Sequence, residues 1–152
     1  MMRVIKVAFF SFIFSVLCNL GQMADLNTPV FAGEVIIVAN QSVPDDELSE
    51  LDIKNIFLGK RQVWSNDKKV VLAVLIKDKI HKEFTGTYLK KNYMQFNNYW
   101  KNMVFTGKAR APKRFENEEE LVHYVETTED AVGYVSSGVL TEKVKKITVK
   151  HD

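Results

Sequence analysis

The run Lys77-Asp78-Lys79-Ile80-His81 follows directly on an apolar stretch, Val70 to Ile76 (VVLAVLI). Cations and a helix start at the end of a buried strand suit an oxyanion, because ammonium groups and free backbone N–H groups converge there. The same residues also make an ordinary solvated helix start with Asp78 as its cap. A second group of cations, Lys108, Arg110, Lys113 and Arg114, lies in KARAPKR. It fits an acidic partner surface or a polyanion, and equally a wet loop. Lys60 and Arg61 follow Gly59 and can favour the last carbonyls of a helix with no ligand at all.

Residue types that carry catalysis or bind metals are present but poorly spaced. His81, His123 and His151 form no H-x-x-x-H or H-x-H pair, so no metal site is expected. Ser136-Ser137-Gly138 follows an apolar segment without making a G-x-S-x-G elbow. Glu118, Glu119 and Glu120 are adjacent, which suits the positive end of a helix dipole better than a paired acid and base. The expectation is a protein that is not an enzyme and uses no cofactor.

The elements that must position these residues alternate as in an α/β domain. Glu34 to Ala39 (EVIIVA) and Val70 to Ile76 read as buried strands, with further strands at Ala131 to Val135 and Val144 to Val149. Ser49, with Asp52 three residues on, starts a helix near 50–58 that carries Leu51, Ile53, Ile56 and Phe57 and stops at Gly59. Ile80, Phe84 and Tyr88 predict a helix over 79–91. Phe96, Tyr99, Trp100, Met103 and Val104 predict another over 94–105, and Asn117 caps one over 118–127. The aromatic stripe of the third helix fills one face, which is the spacing of core packing and not of a platform for stacking bases or sugars. No repeat, low-complexity tract or Pro/Gly/Ser linker interrupts the pattern, so 33–152 is expected to be a single domain with a mixed sheet flanked by helices.

Two segments carry a more specific signal. Ile56-Phe57-Leu58-Gly59-Lys60 is followed by Trp64 and a β-branched strand from Val70, and far downstream Val125 to Asp130 leads into Gly133-Tyr134-Val135. Together they resemble the substrate-binding proteins of phosphate ABC transporters, from about Glu34 to about Gly138. Glu129-Asp130 stands where that family has Pro-Gly. The resemblance implies one lobe of the type 2 periplasmic binding protein fold, since about 120 residues are half of what a two-lobed receptor needs. It also implies that Lys77, Asp78, Lys79, Ile80 and His81 match the family's R-x-D-G-S-G-T connection, whose hydroxyls and amides grip phosphate between the lobes. Here no Gly-Ser-Gly-Thr follows the Asp, and the backbone cannot approach an anion as closely. Two functions follow: a solute-binding component that takes up phosphate or a related oxyanion, or an interaction module that contacts another envelope protein such as a permease, sensor or channel.

Arg3 and Lys6 precede the apolar run Val7 to Leu17, the layout of a secretory signal peptide too short to span a bilayer as a helix. The leader is placed at 1–32, with its end between 24 and 32. Leu17 stands where lipidation of Cys18 would need a small residue. Loss of 1–32 removes the single cysteine, excluding disulfides, thiol catalysis and thiolate metal sites, and leaves a net charge of about +1. That balance gives no general argument for nucleic acid or for stable membrane insertion after cleavage, so the expected location is periplasmic or secreted. Intact-mass measurement of protein exported on its own leader should show a chain starting between Asp25 and Gly33. Residues 1–24 retained in the product would reverse the assignment.

Overall fold

The computed structural model describes residues 33–151, and the assigned leader lies outside the described residues. In chain order the elements are β1 (Val35–Ala39), β2 (Glu47–Ser49), α1 (Glu50–Phe57), β3 (Val71–Leu75), α2 (Lys79–Phe84), a π-helical turn (Thr85–Leu89), α3 (Tyr93–Phe105), β4 (Lys113–Phe115), α4 (Glu118–Thr127), β5 (Ala131–Ser136) and β6 (Lys145–Lys150). The sheet order is β2-β6-β1-β5-β3-β4. It is mixed: β1 runs antiparallel to β5 and β6, while β3 is parallel to β5 and β4, and β2 is parallel to β6.

Ile36–Ala39, Ala73–Leu75 and Ala131–Val135 are each buried without a break. Strands of that kind must be covered on both faces, and two neighbours in β5 show by what. A Cβ on Gly133 would lie 2.7 Å from Leu121 Cδ2 of α4. Tyr134 points the other way, stacking on Phe84 of α2 at 3.8 Å and meeting Phe57 of α1 edge-on at 5.6 Å. So α4 covers one face, α1 and α2 cover the other, and the alternation along a strand sorts the core into two layers.

Helix starts form where the side chains predict them. Ser49 and Asp52 make a full capping box, with Ser49 Oγ accepting from the Asp52 N–H at 3.1 Å. Asn92 and Gln95 make another at the start of α3, and each such cap contributes about 1 kcal/mol. Gly59 follows α1 at φ +66°, where its missing Cβ also leaves room for Trp100, which would be 3.0 Å away. Tyr99 Oη donates to the Leu58 carbonyl at 2.6 Å and fastens α3 to the same corner.

Three departures from the sequence reading have physical causes. The helix expected over 79–91 is α-helical only to Phe84, then widens into the π turn and ends at Lys90 with φ +52°. Thr85 Oγ1 donates to the His81 carbonyl at 2.9 Å, competing with the α-helical ladder at the point where it widens. β2 and β4 have three residues each, too few for any periodicity to register. Val104, assigned to the buried stripe of α3, is 45% exposed, whereas Phe96 and Trp100 of that stripe are 1% and 2% exposed.

Trp100→Ala should therefore cost about 3 to 5 kcal/mol in urea unfolding, as a large core truncation. Trp100→Phe should cost much less, because the indole Nε1 it removes is buried with no partner among the described residues. An alanine variant as stable as the parent would overturn the packing assigned to α3.

Candidate functional site

Because β3, β4 and β5 are parallel, their carboxyl ends reach one edge of the sheet. The Ile76 N–H donates to the Phe115 carbonyl at 2.9 Å, which closes β3 against β4 just before the chain turns. Lys77 takes a left-handed conformation, φ +54°. Asp78 then caps α2, its Oδ1 accepting from the Ile80 N–H at 2.7 Å. The run singled out from the sequence is thus divided. Lys77 and Lys79 are exposed at the edge and Asp78 is half-buried as a cap, but Ile80 and His81 are 5% and 1% exposed. Their side chains face the core, the Ile80 N–H is already taken by Asp78, and the solvated helix start extends no further than Lys79.

His81 belongs to a polar group inside the core. Its Nδ1 lies 2.6 Å from Tyr134 Oη, which also accepts from the Leu75 N–H at 3.1 Å. With that acceptance made, the phenol proton has one good acceptor, His81 Nδ1, so the neutral imidazole carries its own proton on Nε2. Nε2 has no hydrogen-bond partner, and the ring is boxed by Phe96 and Tyr93, centroids 5.2 and 5.9 Å away. Burial lowers the His81 pKa to about 4; the Arg114 charge adds to that shift and Asp78 opposes it. Burial likewise pushes the Tyr134 phenol above its ordinary range. A neutral pair of this kind holds β5, β3 and α2 in register and is closed to ligand.

Beside the Lys77 turn stands the start of α4. Asn117 Oδ1 accepts from the Glu120 N–H at 2.8 Å, and the first turn carries Glu118, Glu119 and Glu120, as the helix-dipole reading requires. Glu118 does more than that: its carboxylate accepts a hydrogen bond from the Ser136 N–H at the end of β5. A backbone donor at the carboxyl edge is therefore already taken by an anion from the chain itself. Eighteen residues separate the two groups, and no local spacing could have announced their meeting.

The second group of cations is only in part the loop expected from KARAPKR. Lys113 and Arg114 lie in β4, the edge strand, and Lys108 and Arg110 are exposed in the segment before it. The Gln62 side chain ties that segment to α1, donating to the carbonyls of Lys108 and Gly59, both at 3.0 Å. Of the other histidines, His123 is exposed on α4 and His151 pairs with Glu50 at 2.7 Å. Among the described residues no three His, Cys, Asp or Glu side chains are placed to hold a metal ion, and no helix is long and apolar enough to cross a membrane.

No family model and no curated protein matches the sequence. Solved structures do. A Clostridium perfringens protein described as a phosphate ABC transporter substrate-binding protein, with phosphate bound, superposes with a TM-score of 0.62 at 15% identity, covering 77% of this chain and 45% of that one. The described domain has the fold of one part of such a periplasmic binding protein. PstS from Borrelia burgdorferi matches at TM-score 0.61 and 12% identity, covering 78% of this chain and 47% of its own. The phosphate-binding protein from Stenotrophomonas maltophilia does so at 0.61 and 18%, covering 78% and 39%. The chain thus spans under half the length of each of these receptors. The mixed sheet flanked by helices is the architecture that the Gly59 and Gly133-Tyr134-Val135 signals implied.

The His81 environment has a consequence for stability. Its folded pKa, about 4, lies below the ordinary 6.5, so between those values the unfolded chain binds more protons than the folded one. The contribution of the neutral imidazole is complete above pH 6.5 and is lost as pH falls toward 4, by up to about 3 kcal/mol. Urea unfolding across that window should show the loss in the parent. It should be absent in His81→Asn, which keeps an acceptor near the Nδ1 position but does not titrate. Equal pH slopes in the two proteins would contradict the neutral assignment.

Proposed function

We propose that this protein works outside the cytoplasmic membrane as a phosphate ABC transporter substrate-binding-like protein whose described lobe supplies half of an oxyanion site. The observation that carries the reading is the phosphate-receptor fold, with two exposed ammonium groups, Lys77 and Lys79, at the turn where that fold's strand meets its helix. The ligand class is phosphate or a related oxyanion, and the second wall of the site is another surface that closes over the Lys77 to His81 connection. Transport, not catalysis, is the role.

The half-site is weak by its chemistry. Asp78 uses a carboxylate as the α2 cap, Glu118 occupies the Ser136 N–H, and Glu119 and Glu120 add negative charge at the start of α4. Water reaches the open side and screens whatever attraction the lysines provide. Those same carboxylates favour a second reading: the lobe serves as an interaction or sensor module that contacts another envelope protein, a permease, sensor or channel, with no tight small-molecule ligand.

Calorimetry of the mature protein against phosphate and sulfate separates the two. The half-site predicts a Kd no better than about the millimolar range, worth about 4 kcal/mol. Binding should weaken further as salt is added and vanish in a Lys77→Ala, Lys79→Ala double variant. Micromolar, salt-insensitive binding that depends on the lysines would show a complete site. Weak binding that ignores both lysines would leave the module reading alone.

A further inference from the structure

The last turns of α3 and the segment leading into β4 enclose a feature that the carboxyl edge does not use. Phe105, at the end of α3, is 93% exposed, and Val104 beside it is 45% exposed. Between them and the β4 approach runs an open groove of about 800 Å³, floored by Trp100 and walled by Phe105, Ala111 and Pro112, with Lys101 and Arg114 at its margins. Lys108, Arg110 and Lys113 are exposed alongside. None of these five cations is in an ion pair among the described residues. Unpaired positive charge around an apolar trough is complementary to one kind of occupant. We infer that the α3–β4 groove docks an acidic segment of a partner protein that carries a large apolar side chain, the side chain filling the trough and the carboxylates meeting the surrounding cations.

The mode of docking follows from β4. Its Phe115 carbonyl accepts from Ile76, directly after β3, and in a parallel ladder alternate residues turn their N–H and C=O to opposite sides. Within the three-residue strand only Arg114 therefore presents both groups outward, and Pro112, just before it, has no N–H to offer. Adding a strand to this edge would gain one pair of backbone hydrogen bonds next to two cations, which is the usual protection of an edge strand. The partner is held by side chains in the groove, as an apolar anchor inside a charged margin. A flat membrane would touch the crest at Phe105 and leave the trough empty. The inference gives the interaction-module reading a surface, and it stands on residues separate from the Lys77 to His81 connection.

Selection of a random peptide library displayed on phage against the intact mature protein tests it. Enriched peptides should be acidic with one large apolar residue, and their affinity should fall with added salt. Phe105→Ser and the double variant Arg110→Glu, Arg114→Glu should each weaken binding about tenfold or more; all three positions are exposed, so the core is untouched. Lys77→Ala, Lys79→Ala should leave peptide binding unchanged, which keeps the outcome independent of any phosphate result. Enrichment of neutral or basic peptides, no enrichment, or equal binding by the variants would overturn the inference. So would Phe105-dependent binding to phosphatidylglycerol vesicles that the selected peptides do not displace.

Discussion

The Tyr134 hydroxyl is the polar atom on which the rest of the domain is indexed. It accepts from the Leu75 N–H of β3 and pairs with His81 of α2, while its ring is stacked on Phe84 and set edge-on to Phe57 of α1. Two strands and two helices therefore meet around a single fully buried side chain. Losing the hydroxyl would strand the imidazole Nδ1 and the Leu75 amide at once, in a place where water cannot replace it. A purely apolar residue there would keep the volume and lose the register of α2 against β3. That register sets where the Lys77 turn emerges.

The parts of the fold that were legible in the sequence are those written in local chemistry. Ser49 with Asp52, Asp78 and Asn117 are short side chains next to free amides, and each caps a helix. Gly59 and the Gly133-Tyr134-Val135 run carried the family resemblance because each answers a steric demand made by another element: Trp100 in one case, Leu121 in the other. What was not legible depends on partners distant in sequence. The π turn arises where a threonine hydroxyl competes with the helix, β2 and β4 exist only because β6 and β3 offer them a ladder, and the burial of His81 is set by Phe96, Tyr93 and Tyr134. Of the oxyanion candidates the sequence identified the turn but could not tell which way its side chains face. Of the cationic candidates it identified the charges but not the groove beside them.

A second constraint ties the start of β5 to the rest. Asp130 takes φ +61° at the position where the resembled receptors place a glycine. The strain of a left-handed aspartate is offset by its surroundings: its N–H donates to Ser42 Oγ at 2.8 Å, and its carbonyl accepts from the Trp64 indole at 3.0 Å and from the Val71 N–H at 3.1 Å. Nearby, Asn40 Nδ2 donates to the carbonyls of Val125 and Glu126 and closes the end of α4. A ring of hydrogen bonds from the loop after β1, from β3 and from the Trp64 loop holds this turn.

At Gly133 the structure is governed by an atom that is not there. With a Cβ 2.7 Å from Leu121 and 3.2 Å from the Ala73 carbonyl, any larger residue would lift α4 off the sheet. The lift would be felt less than a turn away, at the start of the helix, where Glu118 reaches the Ser136 amide. A bare hydrogen in the hydrophobic interior thus acts as a spacer gauge for a charge at the surface. Whether the carboxyl edge shows an approaching anion a free amide or a carboxylate is decided by how closely two apolar layers can settle.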